Sequence, residues 1–410
     1  MLQKPRGTRD FLPDEMEHRR AIEQCMRETA RRWGYREICT PTFETQELYT
    51  LRSGEGITNE MYAFEDKGGR KLALRPEGTA GVLRMYVNEA QVMPKPLRWC
   101  YISDCYRYER PQKGRYRQFW QFGIELIGAD TAAADAEVIL VADDILRKSG
   151  VVFDLQVGHL APMKHLLREL ESEDQKRILA LIDKRNFDGL NDYLSSPEKS
   201  ELLDALTALV TCRDVEEVIE ISGDLPEKER LRETIEILEK QELRYTFNPA
   251  IVRGLDYYTG IVFEGFAENL GAENQIIGGG AYRLAHLFGG DDIASSGFGI
   301  GFDRVMVALG EKHPKPAGIL GVIYTPDAQA HAFSVAKSFR DAGITTELNL
   351  MERGIGAQIK HASKSAEFIV VIGKRECEAG TVTLKDLKSG EQKECSIEAA
   401  IAGVKGVGKC

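Results

Sequence analysis

The chain has 410 residues, of which 43% are hydrophobic and 29% charged, as is ordinary for a globular protein of two or three domains. Its net charge of −10 argues against a generic nucleic-acid coat, which needs a basic surface, but it permits local basic patches. The sequence has no apolar run of about 18 residues and no apolar signal region at its start. We therefore expect no membrane span and a cytoplasmic location.

The eight cysteines are sparse for this length and include no CxxC pair. Such a distribution is typical of reduced, mostly buried thiols rather than of a disulfide framework or a zinc site. We expect no metal held by the protein's own side chains.

The first predicted element is a helix near 14–33. Asp14 and Glu17 resemble a capping box, and apolar residues then recur at helical spacing. A strand is predicted over Tyr35–Thr40, and it ends at Pro41. A proline at the end of a strand favours a sheet edge or an interface.

Residues 52–70 contain several glycines and charges and are expected to form a loop. A short strand over Lys71–Arg75 then leads into a turn that carries Glu77 and Thr79. An apolar helix over Ala80–Val87 follows, so one interpretation of this turn is a simple helix cap.

A predicted hairpin with a long basic tip comes next. Residues 107–117 carry five Lys or Arg side chains against one acid, Glu109, and Pro111 and Gly114 supply turn chemistry. After the tip the pattern has a period of two, with Phe119, Gln121, Gly123 and Glu125 on one face and Trp120, Phe122, Ile124 and Leu126 on the other. The apolar face predicts a core, and the polar face predicts the floor of a site for a small, partly anionic ligand. The alternative is a hairpin with a solvated face.

The middle of the chain changes from mixed to helical character. A helix and a strand (Val151–Val157) are expected over about 130–155. Apolar residues at helical spacing, many charges and few glycines then predict a helical insertion from about 163 to 240. Its charges are mixed in sign, so no RNA-binding stripe is predicted.

Two further stretches combine glycines with functional side chains. The loop before a strand at Ile261–Phe266 carries Arg253, Tyr257 and Tyr258, and two adjacent tyrosines cannot both point into a core from a regular strand. Residues 297–303 alternate glycine with apolar residues, and Arg304 then opens a helix. An arginine in a first helical turn opposes the helix dipole by about 0.3–1 kcal/mol, so another interaction should favour it there.

The last quarter of the chain has a different pattern. Residues 312–316 (KHPKP) form a plausible linker, and strand–helix alternation beyond it predicts a small α/β domain with a mostly parallel sheet. Its first, second and third strands are expected at Ile319–Tyr324, Thr345–Leu350 and Glu367–Ile372. A modest basic patch is either solvated surface or a binding site, and it consists of Arg353, Lys360, His361 and Lys364.

Five segments, taken in order, resemble the class II aminoacyl-tRNA synthetases, and most closely the histidyl-tRNA synthetase family. They are RGTRDFLPDE at 6–15, LRPEGTA at 74–80, RYERPQKGRYRQFWQFGIELIG at 107–128, RGLDYYTG at 253–260 and GFGIGFDR at 297–304. The resemblance implies an α+β fold: an antiparallel-sheet catalytic domain (1–162 and 246–312) with a helical insertion (163–245), plus a C-terminal α/β anticodon-binding domain (317–410). It also implies a homodimer formed through residues 14–41.

The same resemblance implies that the chain activates histidine with ATP and transfers it to the 3′ end of histidine tRNA. Mg²⁺ would accompany ATP, and no editing domain is expected. Arg107 and Arg253 would be catalytic, and Arg107, Glu109 and Arg304 would bind ATP. The histidine site would comprise Glu77, Gly78, Thr79, Gln121, Glu125, Arg253, Tyr257 and Tyr258. Glu77 and Thr79 would hold its ammonium group.

The sequence departs from the family pattern in two places. Trp120 stands where the family usually has histidine, and the family's GGGRYDGL reads GGGAYRLA, with Ala281 and Arg283 in place of Arg and Asp. Two alternatives to the ligase are a non-catalytic histidine-sensing regulatory paralogue in histidine biosynthesis and a synthetase for another amino acid. The three arginines and the C-terminal quarter favour an enzyme over the regulator, and a synthetase for another amino acid would lack the RGLDYYTG segment.

Overall fold

The computed structural model describes residues 2–53, 58–252, 257–271, 274–310 and 319–407, and the chain divides into two compact units. The first unit comprises Met1–Asp10 and Arg19–Glu311, and the second comprises Phe11–His18 and Lys312–Cys410. The predicted linker at 312–316 lies outside the described residues. Within the described ranges, no helix is long and apolar enough to cross a membrane.

Eleven helices precede residue 311 in the described ranges. They are α1 Pro13–Arg32, α2 Gln46–Ser53, α3 Thr79–Met85, α4 Ala132–Lys148, α5 Leu160–Leu167, α6 Ser172–Asp183, α7 Phe187–Tyr193, α8 Ser200–Thr211, α9 Val215–Ser222, α10 Lys228–Lys240 and α11 Phe302–Leu309.

The strands of the same part of the chain form two sheets. They are β1 Arg36–Glu37, β2 Phe43–Thr45, β3 Ala63–Glu65, β4 Lys71–Leu74, β5 Leu97–Tyr106, β6 Gln118–Ile127, β7 Asp154–His159, β8 Thr246–Phe247, β9 Tyr258–Phe266, β10 Gln275–Tyr282 and β11 Ser295–Gly301. The large sheet has the order β1-β5-β6-β11-β10-β9-β7-β8 and is antiparallel except at its two outer pairs, β1 with β5 and β7 with β8. The small sheet has the order β2-β4-β3.

The predicted hairpin is the centre of the large sheet. Strands β5 and β6 pair one to one without a bulge from Leu97 opposite Ile127 to Tyr106 opposite Gln118. The apolar face of β6 packs as predicted, because Phe122, Ile124 and Leu126 lie in one core with residues of α4 and α10. We name this side of the sheet the back face and the opposite side the front face.

Several predicted bounds shift. The predicted strand 35–40 contracts to Arg36–Glu37, and the predicted loop at 52–70 contains β3, which pairs with β4. The helix that Arg304 was expected to open begins two residues earlier, at Phe302, so that Asp303 shares its first turn. The predicted insertion contains the consecutive helices α5–α10, as its helical periodicity indicated.

The second unit contains a five-stranded mixed sheet. Its elements are β12 Leu320–Tyr324, α12 Gln329–Asp341, β13 Thr346–Leu348, α13 Ile355–Ala362, β14 Phe368–Ile372, α14 Lys374–Ala379, β15 Thr381–Asp386, β16 Gln392–Ser396 and α15 Ile397–Val407. Strands β13, β12 and β14 are parallel, and β15 and β16 add antiparallel strands at one edge. The alternation of the sequence therefore predicted the parallel part correctly.

Candidate active site

A cavity of about 400 Å³ opens on the front face of the large sheet, over β6, β9, β10 and β11. The described candidates from the sequence that line it are Glu77, Thr79, Arg107, Glu109, Gln121, Tyr257, Tyr258 and Arg304. These residues come from four segments that are far apart along the chain. The fold thus brings most of the candidates into one place, while Arg253 lies outside the described residues.

The turn before α3 is fixed at both ends. Arg75 is buried and donates hydrogen bonds to the Asp104 carbonyl (2.6 Å) and the Thr40 carbonyl (2.9 Å). The Glu77 carboxylate accepts hydrogen bonds from the backbone N–H groups of Thr79 (2.6 Å) and Ala80 (3.0 Å). Glu77 therefore caps the helix and lines the cavity at the same time, so the two interpretations of this turn are compatible.

Tyr101 lines the cavity and explains two glycines of the motifs. A Cβ atom on Gly78 would lie 2.2 Å from Cε2 of the Tyr101 ring, and a Cβ atom on Gly123 would lie 2.1 Å from its Cζ. Gly123 therefore makes room for the Tyr101 ring on the front face of the sheet. The Tyr101 ring also covers Gly78, so Gly78 does not line the cavity.

Gln121 is held from below by a buried thiol. The Cys105 Sγ donates to the Gln121 Oε1 at 3.5 Å, and Cys105 is fully buried. Burial raises the pKa of this thiol to about 12, so the thiol keeps its proton and remains a donor. The Gln121 amide is thereby oriented on the floor of the cavity.

Glu125 lies deeper than the lining side chains. It is 1% exposed, and its carboxylate accepts a hydrogen bond from the Tyr282 hydroxyl. Gly297 makes room for it, since a Cβ atom there would lie 2.1 Å from Glu125 Oε2. Burial, followed by the charges of Glu125 and Glu77, raises the pKa of Tyr101 well above its ordinary value, so Tyr101 stays neutral beside them.

Two arginines of the basic tip, Arg107 and Arg115, lie next to the Glu109 carboxylate. Arg107 donates from Nε to the Pro76 carbonyl (2.9 Å), which ties the tip to the turn before α3. Glu109 lies 3.8 Å from Arg107 and 3.4 Å from Arg115. Glu109 therefore faces both guanidinium groups, and the Pro76 carbonyl also holds that of Arg107.

The contacts of Asp303 and Arg304 explain why an arginine is tolerated in the first turn of α11. Asp303 is 1% exposed and accepts hydrogen bonds from the Trp120 backbone N–H (2.7 Å), from Arg19 (2.7 Å) and from Arg9. Arg304 donates to the Gln275 carbonyl at 2.5 Å. This carbonyl and the acidic first turn offset the dipole cost of the arginine.

Both adjacent tyrosines face the cavity. The ring centroids of Tyr257 and Tyr258 are 4.2 Å apart, and Tyr257 precedes the first residue of β9. A register shift between β9 and β10 follows Tyr258. Leaving the regular strand lets both rings point the same way, which strict alternation would forbid.

Tyr101, Glu264 and Gln275 are among the lining residues that sequence reasoning missed. Gln275 donates to Glu264 Oε1 at 3.0 Å beside the Arg304 contact. The only signal in the sequence for Tyr101 was the pair of glycines that its ring contacts. Glu264 and Gln275 lie on β9 and β10, but outside the motif residues of those strands.

Residues 7–305 match the protein family described as histidyl-tRNA synthetase, and residues 305–406 match the family described as anticodon binding domain. The chain belongs to the histidyl-tRNA synthetase family. Within it, the histidine–tRNA ligase of Methanoculleus marisnigri is 65% identical over 410 residues and that of Methanoregula boonei is 66% identical over 408 residues, each covering 100% of both chains. The crystal structure of apo histidyl-tRNA synthetase from S. aureus matches with a TM-score of 0.77 at 29% identity, covering 99% of this chain and 100% of that chain.

Membership of the histidyl-tRNA synthetase family confirms the resemblance drawn from the five segments. The structural match confirms the predicted fold class, a largely antiparallel catalytic sheet with helices and a separate α/β domain. The departure at Ala281 and Arg283 is therefore a variation within the synthetase family.

Proposed function

We propose that this chain is a histidine–tRNA ligase. A carboxylate oxygen of histidine attacks the α-phosphorus of ATP and pyrophosphate leaves; a hydroxyl at the 3′ end of histidine tRNA then attacks the acyl carbon and AMP leaves. The observation that carries the proposal is the single cavity in which arginines of two separate motifs face a glutamine, two tyrosines and a carboxylate. Full-length relatives named histidine–tRNA ligase support it over the regulatory paralogue.

The first step brings two anions together, so its catalysis is mainly electrostatic and positional. A planar guanidinium suits this task because it grips phosphate or carboxylate oxygens with two hydrogen bonds and keeps its charge. We assign Arg107, oriented by Glu109, to the α-phosphate and Arg304 to the adenine end of ATP. Arg253 is assigned to the α-phosphate and the histidine carboxylate.

Histidine selection needs polar groups for both ends of the substrate. We assign Glu77 and Thr79 to the ammonium group, with Gln121 and Tyr257 beside the backbone of histidine. Tyr258 and the deeper Glu125 are assigned to the imidazole nitrogens. A pocket of buried polar partners rejects analogues that lack them by about 10⁴–10⁵ in rate, so the proposal needs no editing step.

Mg²⁺ belongs to the proposal as a companion of the substrate ATP. It prefers oxygen ligands and keeps several waters, and the Glu109 and Glu264 carboxylates of the cavity fit a hydrated ion of this kind. The ion would supply charge neutralisation at the phosphates that leave as pyrophosphate.

The remaining partners follow from the second unit and from the edge of the large sheet. We propose that residues 319–407 contact the anticodon arm, which the match to the anticodon binding domain supports. We also propose a cytoplasmic homodimer that pairs through the region of β1. Phe43 and Phe64 support this, because both are exposed and lie edge to face at 6.3 Å on the neighbouring small sheet.

The direct test is histidine-dependent exchange of pyrophosphate with ATP, measured against a panel of amino acids, together with charging of histidine tRNA. We expect exchange with histidine alone. Folded protein that binds histidine with Mg²⁺ and ATP present but catalyses no exchange would overturn the proposal in favour of the regulator.

Arg253 gives a sharper form of the same test. Arg253→Ala should lower kcat for exchange by about 10³–10⁵, with a smaller change in KM for ATP, because the anions approach most closely in the transition state. Arg253→Lys keeps the charge without the planar fork and should recover only part of the rate. Equal activity in all three proteins would remove Arg253 from the reaction.

A further inference from the structure

A cluster of four charged side chains and one serine lies on the back face of the sheet, behind the cavity. We name it the back-face ion cluster, and it consists of Asp130, Asp135, Arg230, Arg283 and Ser296. Arg230 grips Asp135 with two hydrogen bonds, Nε to Oδ2 at 2.7 Å and Nη2 to Oδ1 at 3.1 Å. It also donates to Asp130, which accepts a second hydrogen bond from Arg283.

The cluster connects the helical insertion to the catalytic sheet. Arg230 belongs to α10, Asp135 to α4, and Ser296 to β11, from which its hydroxyl lies 3.3 Å from Asp135 Oδ1. Asp135 is 1% exposed, whereas the Asp130 side chain is 46% exposed. The centre of the cluster is therefore shielded from water, where charge pairs with good geometry fix positions firmly.

Burial opposes ionisation in the cluster, and at Asp135 it raises the pKa despite the hydrogen bond and charge of Arg230. Burial alone would raise the pKa of Asp130, but the hydrogen bond and charge of Arg230, together with those of Arg283, lower it below its ordinary value. The charged form of Asp130 is thus the form that this site stabilises.

Two members of the cluster are next to the residues that hold Glu125. Arg283 directly follows Tyr282, whose hydroxyl donates to Glu125, and Ser296 directly precedes Gly297, which the Glu125 carboxylate contacts. Ser296 and Gly297 are neighbours within β11 and therefore face opposite sides of the sheet, and Arg283 directly follows the last residue of β10. The back-face ion cluster therefore anchors, from behind, the two backbone positions that set the place of Glu125 in front.

We propose that Arg230 is a positioning residue for histidine recognition, through which α10 of the insertion fixes β10 and β11 around Glu125. The inference rests on the proposed function, because it takes Glu125 as the group that meets the imidazole. The inference also explains why Arg283 replaces the Asp of the family pattern. The arginine there brings a second cation to Asp130 at the end of the strand that carries Tyr282.

The test compares Arg230→Gln and Arg230→Lys with wild type in pyrophosphate exchange. We expect Arg230→Gln to raise KM for histidine by about ten- to a hundredfold, the usual effect of misplacing a binding group by up to 1 Å, and to leave KM for ATP within about twofold. Arg230→Lys keeps the charge but not the two-pronged grip on Asp135, so it should recover only part of the histidine affinity.

Arg232→Gln is the matched control, since Arg232 lies on the same helix and pairs with the exposed Glu216 and Glu229. It should behave as wild type. Arg283→Gln is the variant to use if Arg230→Gln does not fold, because Asp130 is half exposed and needs its partner less. It should raise KM for histidine in the same direction.

Histidine binding measured by calorimetry runs beside the kinetics. If wild type binds histidine but catalyses no exchange, the ligase proposal fails, and the dissociation constants of the variants still decide the role of Arg230. An unchanged histidine affinity in folded Arg230→Gln and Arg283→Gln would overturn the inference. So would an equal rise of both KM values, because general loss of structure affects both substrates.

Discussion

At the scale of single residues, the Tyr101 ring packs closely against Gly78 and Gly123. Gly123→Ala should force its ring to move, because the new Cβ atom would lie 2.1 Å from Cζ of a ring that is itself buried. Overpacking of this kind costs about 1–3 kcal/mol of unfolding free energy. We expect a lower melting temperature and weaker histidine activation, measured by thermal unfolding and pyrophosphate exchange.

The control for this substitution is Gly356→Ala. No heavy atom lies within 4 Å of the Cβ position at Gly356, which is inside α13. Stability there should stay the same or rise slightly, because alanine favours helix. Wild-type melting and histidine activation in Gly123→Ala would mean that the Tyr101 ring is free to move.

His159 makes the stability of the protein depend on pH. It is 2% exposed, its Nδ1 accepts the Ala161 backbone N–H at 3.1 Å, and Glu227, Arg230 and Lys164 surround it. Burial, then the charges of Arg230 and Lys164, lower its pKa from 6.5 to about 3. In the unfolded chain, His159 therefore takes up a proton near pH 6.5. In the folded chain, it takes up this proton only near pH 3.

The contribution of His159 is complete above pH 6.5 and is lost as the pH falls towards 3. At pH 5 the loss should be about 2 kcal/mol relative to pH 8. His159→Asn keeps a helix-capping oxygen but does not titrate, so its urea stability should fall less between pH 7 and pH 5 than that of wild type. His286→Asn, at an exposed position, should not alter the slope; parallel slopes for wild type and His159→Asn would contradict the prediction.

At the scale of elements, the segment before α1 supports the basic tip. The Gly7 carbonyl accepts the Arg117 backbone N–H at 2.9 Å, the Arg9 guanidinium lies 3.6 Å from the centre of the Tyr116 ring, and Arg9 also binds Asp303. A segment remote in sequence thus contacts both the tip loop and the first turn of α11.

Arg9→Ala should therefore loosen the side of the cavity that carries Tyr116 and Arg304. We expect KM for ATP in pyrophosphate exchange to rise by about tenfold, with a smaller effect on histidine, since a cation on an aromatic face and a charged hydrogen bond are lost together. Arg6→Ala, an exposed arginine three residues earlier, should leave both values unchanged. A larger effect on histidine than on ATP would assign the segment to the other substrate.

For the molecule as a whole, the two units should be separable by function. Lys360 and Lys364 are exposed near the end of α13 in the second unit, beside His361. If this patch meets phosphates of tRNA, the double variant to glutamine should lower kcat/KM for charging by about tenfold and reduce the salt dependence of binding by about one unit of slope per lysine. Pyrophosphate exchange needs no tRNA and should be unaffected.

Lys337→Gln with Lys405→Gln is the matched control, because both lysines are exposed on α12 and α15, which pack in a different core cluster of this unit from α13. It removes equal charge and should charge tRNA at nearly the wild-type rate. Equal losses in the two double variants would point to general electrostatic attraction instead of a defined contact.

The sequence predicted best what periodicity and turn chemistry encode. The hairpin, the helical insertion and the parallel part of the second sheet follow from spacing within short windows, and eight site candidates meet in the cavity. What it missed depends on pairing across the chain. Glu125 is 157 positions from Tyr282, and Tyr101 meets Gly123 only through the register of β5 and β6. A pattern within a short window of sequence cannot reveal contacts between residues so far apart along the chain.

The unbroken pairing of β5 with β6 also limits how the length of this region can vary between lineages. Side chains alternate between faces with a period of two, so deleting or inserting one residue within β6 would turn Gln121 and Glu125 towards the core and Phe122 and Ile124 towards the cavity. A change of length in the tip at 107–117 does not alter the alternation of side chains in the two strands. Gains and losses of residues should therefore accumulate in the tip loop, while the strands on either side change only by substitution.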